Sequence, residues 1–89
     1  MNVQQAKASS VEITTSEDVG ANDRRKKLLI EAQGGVVYLK FSSAAQDSNA
    51  PASDDYHLKL ADGAHFLLED YAGPCRAQSG ASLNYTEFF

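Results

Sequence analysis

Two histidines, His57 and His65, stand close to Asp54 and Asp55, with Asp62, Glu69 and Asp70 a few residues on. Imidazoles and carboxylates in such numbers could hold a metal ion, and a carboxylate pair could cleave a glycosidic bond. The spacing favours neither. There is no His-x-His or His-Glu-x-x-His pattern, and no cysteine accompanies either histidine. His57 shares the parity of Lys59, which puts it on an outer strand face, and nothing drives two of the carboxylates into one cleft or completes a Ser–His–Asp arrangement. Cys75, the single cysteine, can form no internal disulfide, and as a nucleophile it would need a paired base in an electropositive pocket. It reads as a small buried hydrophobe. Gly34-Gly35 and Gly63 lack the strand–loop–helix context of a phosphate cradle. The residues therefore assign no catalytic group, no metal ligand and no cofactor, and the expectation is a protein that is not an enzyme.

Arg24-Arg25-Lys26-Lys27 is the other chemical feature, a candidate phosphate or lipid-headgroup patch. Glu17, Asp18 and Asp23 lie just upstream, no aromatics interleave for base stacking, and the chain carries a net charge of −4. These features argue against nucleic acid. The cluster reads as a solvated strand entry whose cations blunt an edge and pair with an acidic neighbouring subunit. The longest apolar run, Val36–Leu39, is far too short to span a bilayer, so no membrane partner is expected. MNVQQAKASS has no apolar signal-peptide core, which points to synthesis in the cytoplasm.

These groups need a scaffold, and 89 residues allow one domain with a core that is small for its surface. Residues 1–9 are polar without sustained period and read as an extended arm. From Ser10 the period becomes two: Val11 and Ile13 alternate with Glu12 and Thr14. After a loop rich in Ser, Asp, Gly and Asn, Leu28, Ile30 and Ala32 share one face, as do Val37, Leu39 and Phe41. The glycines of Gln33-Gly34-Gly35 suit a tight hairpin between these two strands. Residues 42–55 read as a long surface loop. Tyr56–Leu60, His65–Asp70 with Phe66 and Leu68 inward, Cys75–Gln78, and Ala81–Thr86 with Leu83 and Tyr85 inward complete about seven short strands. The expected fold is all-β, a small antiparallel β-sandwich or barrel: arm 1–9, body 10–86, and an aromatic tail 87–89.

Phe88 and Phe89 are then left at a free end, where each forgoes about 1.5–3 kcal/mol of burial unless something covers it. They can fold back on their own sheet or dock into another chain, where aromatics make good anchors. Leu29, Val36, Tyr38 and Leu67 likewise fall on outer faces and invite self-association as a dimer or trimer. Candidate partner-binding residues are Val3, Arg24, Arg25, Leu29, Tyr38, Tyr85, Phe88 and Phe89. Tyr38 and Tyr71 could also form a sugar-binding surface, whereas Tyr56 shares the parity of Leu58 and Leu60 and reads as core.

Arg25–Ile30 (RKKLLI), Val37–Phe41 (VYLKF), Leu60–Gly63 (LADG), Glu69–Pro74 (EDYAGP) and Ala77–Gly80 (AQSG) occur in that order. The order resembles small β-sandwich virion proteins of tailed bacteriophages, over roughly residues 10–86. There "R-K-x-L-L-I" and "V-Y-L-x-F" form a hairpin and "L-x-x-G" precedes a strand ending near "Y-x-G-P". Two departures stand out: the family usually has glycine straight after "V-Y-L-x-F", where this chain has Ser42, and the 42–55 segment is longer. The resemblance implies a decoration or cement protein that binds assembled capsid subunits and stabilises the shell, located in the virion. The alternatives are a head–tail junction or fibre component, or a carbohydrate- or receptor-binding module. The implied partner is the major capsid protein or another virion protein.

Overall fold

The computed structural model describes residues 6–13, 19–42, 45, 49–78 and 81–89. Alternation in Lys27–Gln33 is realised as a strand whose Leu28, Ile30 and Ala32 are fully buried and whose intervening side chains are not. Among the described residues seven strands form: β1 (Ala6–Ile13), β2 (Lys27–Gln33), β3 (Val37–Phe41), β4 (Leu58–Leu60), β5 (His65–Glu69), β6 (Cys75–Ala77) and β7 (Ala81–Phe88). They make two antiparallel sheets, one ordered β1-β7-β2-β5 and the other β4-β3-β6. The all-β expectation holds. The core between the sheets is Leu28, Ile30, Ala32 and Leu83 from one side and Val37, Leu39, Leu60, Cys75 and Ala77 from the other, with Val19 added from a loop.

The hairpin expected at Gly34-Gly35 does not form. β2 and β3 lie in different sheets, because both edges of β2 are taken, one by β5 and one by β7. The glycines still turn the chain, Gly34 at φ +82° and Gly35 at +157°, but they carry it from one layer to the other. The Ala61–Ala64 turn makes the reverse crossing beside it. Asp62 Oδ1 accepts from Gly34 N at 3.0 Å, and Ala32 N donates to Ala64 O at 3.0 Å. Direct neighbours along the chain pair only between β3 and β4.

The ends are also bound into the sheet. β1 begins at Ala6, inside the stretch read as an arm, and β7 runs to Phe88, so Ala6, Phe88 and Lys27 sit side by side. Val3 and the remainder of 1–5 lie outside the described residues. Phe66 departs from its expected inward position. It pairs with buried Ile30 but stands on an edge strand and is 43% exposed.

Candidate interaction surface

Arg25, in the basic cluster, is not solvated. It is 2% exposed, and its guanidinium is surrounded by acceptors. Nε donates to Tyr71 O at 3.2 Å, and Nη1 donates to Gly20 O at 3.1 Å and to Glu87 Oε2 at 3.0 Å. Nη2 donates to Gly73 O, and the Tyr71 ring lies 6.0 Å from the guanidinium carbon. A planar fork satisfies separate carbonyls in a way that an ammonium does not. Tyr71 extends the clamp: its hydroxyl donates to Pro74 O and accepts from Ser42 N at 2.6 Å. Gly73 is required here because a Cβ would come within 2.7 Å of the Tyr71 hydroxyl. One network thus ties the start of β2, the 71–74 turn, the end of β3 and the end of β7. Glu87 is consequently part of the body and no spare end.

Ser42 stands in this network at φ +59°, the left-handed region that glycine occupies without strain. The departure from glycine noted in the sequence therefore falls on a position whose backbone favours glycine.

On the three-stranded sheet the outward row holds Tyr38, Lys40, Lys59 and Arg76, paired Tyr38–Lys59 and Lys40–Arg76. Lys40, although on this outward row, is buried. The 49–55 stretch lies against its head, which donates to Asp55 Oδ2 at 2.7 Å and to Asn49 O at 3.2 Å. Ala45 and Pro51 are buried as well, so the described part of the 42–55 segment is anchored at these two residues while Ser42, Asn49, Ser53, Asp54 and Asp55 remain exposed. Tyr56, read as core, is 42% exposed and packs on half-buried Tyr38 with ring centroids 5.1 Å apart.

Among the described residues, nothing covers the outer face of the four-stranded sheet. Pairing places Thr86, Leu29 and Leu67 in one row and Phe88, Lys27 and Glu69 in the next. Asn84, Glu31 and His65 form the row on the other side. Lys27 and Glu69 pair at 3.5 Å, and Asn84 Nδ2 donates to Gln33 Oε1 at 2.8 Å. Between these polar borders Leu29, Glu31, His65, Asn84 and Thr86 line a shallow depression of about 280 Å³. Its volume is slightly under the usual range for a small-molecule site, and it lies on the surface rather than between the sheets.

The partner-binding candidates therefore separate. Leu29 and Phe88 share the open face, Tyr38 lies on the opposite sheet, and Arg24 is exposed in the turn before β2, its N–H donating to Asn22 Oδ1 at 3.0 Å. Arg25 is spent on the clamp, Tyr85 packs against the core as expected, and Phe89 is half-buried. Exposed Phe66 and Leu67 join the open face and its edge; Phe66 was missed because parity alone does not mark a strand as an edge. His57 and His65 do not meet: His57 Nδ1 accepts from Phe41 N at 3.1 Å, and His65 stands across from Glu31. Among the described residues no group of three or more His, Cys, Asp or Glu could hold a metal ion. Cys75 is a buried thiol.

Fold and surface define a small all-β protein of two short antiparallel sheets with its interior filled by side chains and, among the described residues, nothing over one outer face. No family model matches the chain, and no curated protein does. Solved structures do match. Protein NMB1881 from Neisseria meningitidis is similar with TM-score 0.57 and 15% identity, over 100% of this chain and 79% of that one. Hydroxypropylphosphonic acid epoxidase from S. wedmorenis, solved with fosfomycin, is similar with TM-score 0.52 and 16% identity. That match covers 94% of this chain but 42% of the epoxidase, so the chain spans under half of that protein's length. At such identities the likeness is one of fold.

Proposed function

We propose that this chain is a non-enzymatic structural protein of a tailed-bacteriophage virion, binding assembled capsid subunits as a decoration or cement protein. The Arg25 clamp carries this reading. Two motifs of the resemblance, the basic strand entry and "Y-x-G-P", are far apart in sequence, and here the Arg25 guanidinium joins them through the carbonyls of Tyr71 and Gly73. Ser42, at the family's glycine position, has a glycine-like φ of +59°. Such a network makes a rigid body, which is what a shell-binding protein needs in place of a cleft. Bound at symmetry-related positions, many copies would favour the assembled shell by mass action.

Mass spectrometry and cryo-EM of purified particles test this. The expected result is roughly tens to hundreds of copies in symmetry-related density, as closed assemblies require. Particles lacking the protein should release their genome at lower temperature. Its confinement to the host cytosol would overturn the proposal. A second reading, a sugar- or receptor-contacting module, draws on the Tyr38–Tyr56 pair with Lys59 lying 5.9 Å from the Tyr38 ring centroid. Glycan-array binding that is lost in Tyr56→Ala would favour it over the cement role.

A further inference from the structure

Edge strands invite pairing, and both edges of the three-stranded sheet are blunted. The outer side of β6 carries the Val19 bridge, with Cys75 N donating to Val19 O at 2.8 Å. β4 has three residues with Lys59 at its centre. β5 differs. It is five residues long, pairs only with β2 among the described residues, contains no proline or lysine, and shows Phe66 at 43% and Leu67 at 39% exposure.

The direction of its backbone groups follows from the ladder. Ala32 N donates to Ala64 O, which continues the β2–β5 register, and antiparallel pairs alternate between bonded and non-bonded. Phe66 and Leu68 therefore turn their N–H and C=O toward β2. Those of His65, Leu67 and Glu69 point away from the sheet.

We propose that β5 is a self-pairing edge: two copies of this chain join antiparallel through His65–Glu69 about a two-fold axis at Leu67. In that register Leu67 faces the partner's Leu67, Phe66 faces the partner's Leu68, and His65 faces the partner's Glu69. The residues with outward backbone groups are the ones that then form bonded pairs. Charge is complementary as well. The rows read Lys27, Glu69, the partner's His65, the partner's Glu31, so carboxylates alternate with groups able to donate to them. The leucine row becomes continuous from Leu29 through both copies of Leu67, and Phe66 gains cover. Self-pairing is isologous, so it closes at a dimer and uses up the β5 edge of both copies. It does not depend on the virion reading, since a joined sheet would serve a sugar-binding module equally.

Sedimentation equilibrium of the full chain and of two variants tests it. Leu67→Pro removes an N–H that points away from β2, so it should weaken dimerisation by about tenfold or more while leaving the fold intact by circular dichroism. Leu67→Cys places two thiols at the axis, within the Cα separation of about 4.4–6.8 Å that a disulfide spans, and should give a covalent dimer on mild oxidation. Buried Cys75 does not compete. Lys59→Cys, on the edge strand of the other sheet, should not cross-link. A chain that stays monomeric at every concentration, an oligomer indifferent to Leu67→Pro, or equal cross-linking at position 59 would overturn the proposal. So would Leu67→Cys cross-linking to a different virion protein in particles but never to itself. Should Leu67→Pro fail to fold, the cysteine pair decides alone.

Discussion

On the outer face of the three-stranded sheet Lys40 and Arg76 lie buried, while on that of the four-stranded sheet Leu29 is only half-covered and Leu67 is exposed. Hydropathy would assign the opposite. Both faces follow the same two-residue alternation, and neither strand pattern says what will lie on top of it. The 49–55 stretch reaches the head of Lys40 and supplies Asn49 O and the Asp55 carboxylate, so a cation is held under cover. No described residue does this for Leu29 and Leu67. Burial outside the core is thus decided by where a loop lands, and a lysine is acceptable beneath it once its donors are met.

Substitutions can break or sharpen this contrast. The largest effect is expected at the most deeply paired cation. Arg25→Ala strands Glu87 and the carbonyls of Gly20, Tyr71 and Gly73, and should cost about 3 kcal/mol of unfolding free energy by urea titration. Arg25→Lys should recover only part of that, since an ammonium does not reproduce the fork. Lys40→Ala should cost about 1–2 kcal/mol, less than Arg25 because Asp55 is more than half exposed and the pair is screened. Protease cleavage within 42–55 should accelerate in the same variant; an unchanged rate would mean that the lysine does not hold the segment. Ser42→Gly should move the other way and raise stability by about 1 kcal/mol, because the left-handed backbone there disfavours a Cβ. Leu67→Thr should change monomer stability by no more than about 0.5 kcal/mol, since its side chain stabilises little within one copy. A loss comparable to that of Lys40→Ala would show that the open face is part of the folding core.

Alternation was enough to mark which residues of β2, β3 and β7 face inward, because side chains in a strand alternate regardless of partner. It failed at Gly34-Gly35, where the turn residues were recognised and the pairing was not. Positive φ reverses a chain equally well within a sheet or between sheets, and the choice fell to β5 and β7, which arrive later and occupy both edges of β2. It failed again at Arg25, since four adjacent cations look alike until a distant Tyr71–Pro74 turn selects one of them. Phe66 had inward parity and emerged exposed because it stands on an edge strand, whereas Tyr56 precedes β4, so the strand's parity does not reach it, and it packs on outward-facing Tyr38.

By itself, the order of residues determined the all-β class, the approximate strand positions, the glycine turns and the inward row of each central strand, since these depend on local sterics and a period of two. Only the tertiary arrangement decided which strands paired, which cation was clamped, which outer face stayed bare and which edge kept its backbone groups free. Each of these depends on contacts between segments distant in sequence, whose free energy exists only after both have arrived.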